Sequence, residues 1–286
     1  TILNAVDALQ YSKIGFTSNI KLFFEGEEEA GSTNLEAHLT KHKALLDDID
    51  IWLFCDGPMH QSRQPQLVFG VRGVTGMEIT VYGATRSLHS GQYGNWAPVP
   101  GQSLAHLIAT MKDENGKVLI DRFYDTVVPL SEFERFELSK IPDVDRQLKK
   151  ELGLAYTEGN GRSINERLLL PSLTIKGLSS GNVGKKARNV IPNTATAAIG
   201  VRLVKGNDPK DMLDKVEAHI RSQGFHIVND EPDMATRRKY PKIAKVDRRG
   251  SGYIASRTSM EEPNAKAIID AVSEFVGDNL ILMPAL

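Results

Sequence analysis

An acidic turn between an apolar run and a helical pattern is the feature that most restricts the fold of this chain. Residues 20–24 are mostly apolar, residues 25–29 carry four glutamates, and Gly31 and Ser32 lead into a helical pattern that begins near Asn34. This order predicts a strand, a turn and a helix. In an open α/β sheet the turn after a strand lies at the carboxyl edge, where ligands bind. Adjacent carboxylates repel unless a cation lies between them or one is protonated, so the turn is either a cation site or a solvated charge run.

A second apolar segment ends in the same way. Residues 49–55 are almost continuously apolar, which is typical of a strand buried on both faces, and they run directly into Asp56-Gly57-Pro58. A second strand therefore brings a carboxylate to the same predicted sheet edge. Two strand ends with carboxylates favour a cation site over a solvated charge run.

Composition excludes several classes of partner. The chain has 286 residues, of which 41% are hydrophobic and 25% charged, as in ordinary globular proteins. Its 35 basic and 36 acidic residues give a net charge of −1, so we expect neither nucleic acid nor a membrane as partner, but a small molecule or a second copy. The single cysteine, Cys55, excludes an intrachain disulfide and fits a reducing compartment, which predicts a cytoplasmic location.

The pattern changes after Pro65 and indicates a second kind of domain. Residues 77–82 and 194–203 alternate apolar and polar side chains as half-exposed strands do, and residues 209–223 read as a helix with Asp208 as N-cap. These elements predict a small antiparallel sheet with helices on one face. We therefore expect three segments: a first domain over 1–74, an inserted domain over 75–245, and a return to the first domain over 246–286.

Four motifs in this order resemble those of a known family. They are residues 25–32 (EGEEEAGS), the strand that ends at Asp56, residues 88–94 (LHSGQYG), and residues 189–192 (NVIP) followed by Arg202. Together they resemble the M20 metallopeptidases, and the carnosinase-like, cytosolic non-specific dipeptidase-like branch in particular. The resemblance implies an α/β fold in which a partial doubly wound, zinc-peptidase-like catalytic domain is interrupted by a ferredoxin-like α+β lid that also forms a homodimer. It also implies two zinc ions, with manganese as an alternative.

The resemblance assigns roles to the acidic residues. Glu28 would be the general base, and Glu29 and Asp56 would be metal ligands. A carboxylate beside a metal ion can accept a proton from a bound water, because the metal lowers the pKa of that water. A shift of register would move the base role to Glu27, although the Ala30-Gly31-Ser32 ending favours Glu28.

The inserted domain would supply the other site residues. His89 resembles the lid histidine that reaches the partner subunit's site and polarises the substrate carbonyl, whereas the plain alternative is a surface-loop histidine. Asn189 and Arg202 resemble residues that bind the substrate backbone and its terminal carboxylate, a task that suits a planar guanidinium. Without the resemblance, Arg202 would be an ordinary solvated cation.

Two other side-chain sets are weaker candidates. His38 and His42 are spaced to grip a metal from one helix face, but without a third ligand nearby a solvated face is the better interpretation. Cys55 with His60 and Ser90 suggests a nucleophile and a base, but Cys55 falls in the predicted buried strand and is expected to be structural.

The resemblance leaves part of the metal site without counterparts. The family's His-x-Asp motif, its bridging aspartate and its last histidine match no residue here, and both ends of the chain interrupt predicted elements. We therefore expect an incomplete portion of a metal-dependent dipeptidase or short-peptidase that binds metal weakly and has little or no activity. The alternatives are an N-acyl-amino-acid amidohydrolase, which a substrate panel would separate, and a non-catalytic dimerisation and binding module.

Overall fold

A computed structural model describes residues 2–248, 250 and 252–286. It confirms the α/β class, and the chain divides into two compact units, Thr1–Phe54 and Cys55–Leu286. None of the helices that the model describes is both long enough and apolar enough to cross a bilayer.

The first unit contains two α-helices and two short 3-10 turns. Helix α1 spans Ile2–Tyr11 and α2 spans Leu35–Lys41, while the 3-10 turns are Glu28–Ala30 and Lys43–Leu45. Helix α2 confirms the helix predicted to begin near Asn34. No described residue of this unit is buried, so the unit has no hydrophobic core of its own.

The two strands predicted over residues 20–24 and 49–55 are wrong. Neither segment forms a strand, and Trp52 and Phe54 are 45% and 87% exposed. The ring of Trp52 instead contacts those of Phe23 and Phe54, with centroids 6.4 Å apart in each pair. A strand needs ladder hydrogen bonds and a buried face, and no described strand pairs with either segment. The apolar composition of these segments suits the interior of a sheet, but it does not supply the neighbouring strands that a sheet requires.

The second unit carries all of the described strands. They are β1 (Gln66–Val68), β2 (Gly70–Val71), β3 (Gly73–Tyr82), β4 (Leu88–His89), β5 (Ser172–Ser179), β6 (Val190–Ile191), β7 (Thr194–Leu203), β8 (His226–Val228), β9 (Ile243–Arg248), β10 (Ser256–Arg257) and β11 (Ile281–Met283). Its helices are α3 (Ser90–Tyr93), α4 (Pro100–Ala109), α5 (Glu132–Lys140), α6 (Asp145–Glu151), α7 (Ile164–Leu168), α8 (Pro209–Ser222), α9 (Met234–Lys239) and α10 (Pro263–Val276).

The main sheet has five strands in the order β5-β7-β3-β9-β8. All neighbours are antiparallel except β8 and β9, which run parallel, so the predicted antiparallel sheet is confirmed with one parallel pair added. The basic residues within 229–250, including Arg248 and Arg249, indicate an exposed return segment in the sequence, so strand β9 is not predicted. Its period-two signal was present, since Ala244 and Val246 alternate with Lys245 and Asp247. Arg249, part of that reading, lies outside the described residues.

The core lies between this sheet and two helices. Strands β3 and β7 bury alternate residues, as the sequence predicts, and helices α4 and α8 pack against these two strands. The largest completely buried side chains of this layer are Met77, Ile79, Leu104, Leu107, Ile199, Leu203, Met212 and Ile220. The opposite face of the sheet carries the polar members of the alternation.

Local sequence signals begin and end the principal helix. The Asp208 carboxylate accepts a hydrogen bond from the Asp211 backbone N–H at 2.8 Å and caps α8, and Pro209 occupies its first turn. Gly224, with φ of +84°, follows the end of the helix. The predicted N-cap is thus confirmed.

The end of the chain returns to the strands that precede the main sheet. Strand β10 pairs antiparallel with β2, and β11 pairs parallel with β1. The two segments pass so closely that a Cβ on Gly73 would lie 2.4 Å from the Tyr253 carbonyl oxygen, which only glycine avoids. Residues 73–76 belong to β3. The predicted boundary between residues 245 and 246 falls inside β9, and the domain boundaries stay a prediction.

Candidate active site

The acidic turn presents two free carboxylates. The Glu27 carboxylate accepts hydrogen bonds from the Asn34 side-chain amide at 2.9 and 3.0 Å and from the Asn34 backbone N–H at 3.3 Å. Glu28 and Glu29 form the 3-10 turn and are exposed, and their carboxylates make no hydrogen bond or ion pair with any described residue. Two adjacent acceptor groups without donors suit a cation or a proton-transfer role. The Glu27 carboxylate, in contrast, is already hydrogen-bonded to Asn34.

Asp56 lies in the other unit, on an exposed segment outside any helix or strand. Its convergence with Glu29 therefore stays a prediction. Carboxylate oxygens are suitable zinc ligands, but a structural or catalytic zinc takes at least three protein ligands. Across the described part of the chain, no three His, Cys, Asp or Glu side chains are grouped to hold one metal ion. The described residues thus fit part of a metal-binding set, not a closed site.

His89 lies on a short two-stranded antiparallel sheet, and its ring has a defined orientation. Strand β4 pairs with β6, and His89 stands opposite Val190. The Gly91 backbone N–H donates to His89 Nδ1 at 3.1 Å. Because an acceptor Nδ1 carries no proton, the neutral ring carries its proton on Nε2. The exposed Nε2–H is then a hydrogen-bond donor, as an oxyanion-stabilising group must be.

Asn189 immediately precedes β6, the other strand of this two-stranded sheet. The Asn189 carbonyl oxygen accepts from the Ser90 backbone N–H at 3.0 Å, which ties the residue directly to the His89 turn. Its side chain is exposed, next to a loop that carries Lys185, Lys186 and Arg188. The structure therefore brings together two of the predicted site residues, which lie one hundred residues apart in sequence.

Arg202 projects from the open face of the main sheet. It is exposed, whereas its neighbours Val201 and Leu203 are completely buried on the helix-covered face. It stands opposite Val74 on β3 and Ser172 on β5. No described carboxylate pairs with its guanidinium, so the cation is available to an anionic ligand.

Arg72 was missed by the sequence analysis. Burial, and secondarily the positive charge of Arg202, lowers the pKa of Arg72 to about 10. An arginine flanked by apolar and glycine residues, in Val71-Arg72-Gly73, was the available signal. The sequence alone could not show that the guanidinium groups of Arg72 and Arg202 lie near each other.

The weaker candidates are not assembled into sites. The rings of His38 and His42 stack with centroids 6.5 Å apart on an exposed helix face. His60 Nδ1 hydrogen-bonds to Ser62 Oγ at 2.8 Å, and Ser90 begins α3. Cys55 is exposed, so its expected place in a buried strand is wrong.

These features define a class: an α/β protein in which one unit contains an acidic turn and the other contains an antiparallel sheet, an exposed histidine on a short two-stranded sheet, and two neighbouring arginines. Residues 69–227 match the family model described as the M20 peptidase dimerisation domain. The chain therefore belongs to the M20 peptidase family, and the resemblance carried by its motifs is confirmed.

Curated proteins with similar sequences are named as dipeptidases. The chain is 28% identical over 243 residues to the Cys-Gly metallodipeptidase dug1 of Schizosaccharomyces pombe, covering 82% of this chain and 49% of that protein. It is 27% identical over 267 residues to human Beta-Ala-His dipeptidase, covering 90% of this chain and 52% of that protein. The chain thus spans about half the length of these curated relatives.

Solved structures agree on the fold. An M20 family metallo-carboxypeptidase from Sulfolobus solfataricus is 27% identical and superposes with a TM-score of 0.77, covering 99% of this chain and 60% of that chain. Human carnosine dipeptidase 1 superposes with a TM-score of 0.71 at 23% identity, covering 98% of this chain and 57% of that chain.

Proposed function

We propose that this chain is part of a metal-dependent peptidase that hydrolyses dipeptides or short peptides with a metal-activated water. The observation that carries the proposal is the pair of unpartnered carboxylates, Glu28 and Glu29, in a chain of the M20 family. The similarity to proteins named metallodipeptidases supports the substrate class.

The proposed roles follow the geometry of each group. Glu28 is the general base, because Glu27 is held by Asn34 and the neighbouring Glu29 is left to bind metal together with Asp56. When bound, the metal lowers the pKa of a water molecule so that it can attack an amide; zinc is the proposed ion, with two per site, and manganese is the alternative. His89 donates from Nε2 to the developing oxyanion. Asn189 and Arg202 hold the substrate backbone and its carboxylate.

We also propose that residues outside this chain complete the metal site. Two observations support this view. No three candidate metal ligands are grouped among the described residues, and the chain spans about half the length of its relatives. On that basis the chain alone binds metal weakly and has little or no activity.

The test is to measure zinc stoichiometry and dipeptide turnover on this chain. We expect less than one tightly bound zinc per chain and turnover near background. Tight binding of two ions together with turnover would contradict the incomplete site. In a form of the protein that shows turnover, the substitutions Glu28→Gln and Glu27→Gln distinguish the roles of the two glutamates. We expect Glu28→Gln to lower turnover by about 10²-fold or more, and Glu27→Gln, the matched control, to leave it unchanged.

The remaining assignments concern assembly and location. We propose that residues 75–245 form the lid and dimerisation domain and that the protein is a homodimer through it, which the dimerisation-domain match supports. The proposed location is the cytoplasm, supported by the presence of a single cysteine in the chain, which excludes an intrachain disulfide.

One observation favours a second candidate function, a non-catalytic dimerisation module. The second unit contains every buried hydrophobic residue of the described chain, while the first unit, with the two glutamates, contains none. A chain that dimerises fully and binds no zinc at millimolar concentration would favour this module over the enzyme.

A further inference from the structure

Arg72 lies in an unusual setting for a cation. It connects β2 to β3, and its Nη2 donates to the Leu170 carbonyl oxygen at 2.8 Å and to Ser172 Oγ at 3.2 Å. Its Nε is buried and has no acceptor. The described residues also offer no acceptor to Nη1 and no carboxylate to the guanidinium as a whole. A half-buried arginine is thus fixed in position while part of its donor capacity is unused.

Strand register places Arg202 next to Ser172, which also accepts a hydrogen bond from Arg72. Arg202 pairs directly with Ser172 across the β5–β7 ladder, so the two side chains lie on one face of the sheet. Ser172 Oγ is also the atom that accepts from Arg72. The two guanidinium groups are therefore neighbours on the open face of the sheet, close enough for the charge of Arg202 to act on Arg72.

Two like charges without a counter-ion are unfavourable in a partly buried position. A bound anion would relieve this repulsion and would supply an acceptor for Arg72 Nη1. A carboxylate suits the site because its two oxygens can receive N–H groups from two guanidinium planes at once.

We propose that Arg72 is a second substrate-binding residue, which joins Arg202 in holding the terminal carboxylate of the peptide. Arg202 makes the exposed contact, and Arg72 donates from Nη1 while Leu170 and Ser172 hold its Nη2. This inference rests on the proposed function, because it takes the carboxylate from the peptide substrate. It makes a free terminal carboxylate, rather than an amide, a requirement for binding.

The experiment measures anion binding directly, without metal and without turnover. ¹⁵N-labelled chain is titrated with N-acetylglycine and, separately, with neutral N-acetylglycinamide, while the arginine Nε–H signals are recorded. We expect the carboxylate to shift the signals of both Arg72 and Arg202, and the amide to shift neither. Arg202→Met and Arg72→Met should each weaken N-acetylglycine binding by about tenfold, with partial recovery in Arg72→Lys.

The matched control is Arg238→Met, which removes the same charge from an exposed position on α9. It should leave the affinity unchanged. Wild-type affinity in Arg72→Met, or equal binding of acid and amide by the wild-type chain, would overturn the proposal. If Arg72→Met does not fold, an Arg72 Nε–H signal that stays in place at saturating N-acetylglycine overturns it equally.

The two proposals fail in different ways. Loss of binding in Arg202→Met with none in Arg72→Met removes Arg72 from the site and leaves the peptidase proposal intact. The zinc and turnover measurements test the peptidase proposal and do not depend on carboxylate affinity.

Discussion

At the scale of single residues, Arg257 makes a buried ion pair whose contribution to stability can be tested. Its Nε lies 3.3 Å from Glu134 Oε1, and the two side chains are only 8% and 5% exposed. Arg257 Nη2 also donates to the carbonyl oxygens of Val128 and Pro129. The pair therefore connects strand β10 to the N-terminal turn of helix α5.

Arg257→Met should lower the free energy of unfolding by about 3 kcal/mol, because it leaves the Glu134 carboxylate buried without a counter-ion. Urea denaturation of the purified chain measures the change. The matched control is Arg122→Met, since Arg122 pairs with Asp125 at 70% and 55% exposure and should contribute less than about 0.5 kcal/mol. Equal effects of the two substitutions would contradict a stabilising role for the buried pair.

Single residues also mark the limit of sequence reasoning at the site. The motif favoured Glu28 over Glu27 as the base but could not exclude a shift of register; the Asn34 hydrogen bonds, which depend on how the turn folds back, support Glu28. Arg72 could not be found, because its meeting with Arg202 depends on strand register. Residue types were readable from sequence, whereas partners were not.

At the scale of elements, helices α4 and α8 are joined by a titratable contact. Thr110 Oγ1 donates to the Leu107 carbonyl oxygen at 2.7 Å, so it accepts from His219 Nε2 at 2.8 Å. Burial lowers the pKa of His219 below its usual 6.5, because the charged ring loses hydration.

The lowered pKa predicts a loss of stability in acid. As the pH falls below about 6.5, the unfolded chain binds a proton at His219 before the folded chain does, so stability decreases until the folded pKa is reached. The free energy of unfolding should therefore decrease less between pH 7 and pH 5 in His219→Gln than in the wild type. Burial lowers the pKa of His60 in the same direction, but His60 is present in both proteins.

Urea denaturation at both pH values measures this difference. Between pH 8 and pH 7, where histidines at or below their usual pKa stay neutral, the two proteins should show the same change. An equal or larger acid loss in His219→Gln would refute the assignment.

Helices and strands were predictable from sequence where the segment that forms them contains its own capping or periodicity signal. Helix α8 was located by its cap, its apolar face and its glycine stop, and β3 and β7 by their alternation. The apolar segments at 20–24 and 49–55 were read as strands, but a strand also requires a partner, which depends on residues far away in sequence. Strand β9 shows the reverse case, because pairing with β3 and β8 makes a strand of a highly charged segment.

At the scale of the whole molecule, the main sheet leaves one long edge available for assembly. The sheet ends in β5 on one side and β8 on the other, and β5 is the longer, with eight residues against three. Beside β5 a groove with a volume of about 360 Å³ is lined partly by Ile108, Leu173 and Ile175. The side chain of Lys176 packs over Gly200 on the open face, so it leaves the edge itself free. An unpaired edge strand beside an apolar groove can pair with its own copy about a two-fold axis.

Leu178 tests whether the proposed homodimer uses this edge. It lies on β5 and is 62% exposed, so Leu178→Glu should preserve the fold but place two copies of a carboxylate near each other in a self-paired edge. We expect the dimer dissociation constant, measured by analytical ultracentrifugation, to rise at least about tenfold, since burial of an unpaired charge costs more than 1.4 kcal/mol. Leu152→Glu makes the same substitution at 67% exposure, at the end of α6, and should leave the constant unchanged. Equal dissociation constants for the two variants would place the dimer contact elsewhere on the domain, because β5 would then remain a free edge in the dimer.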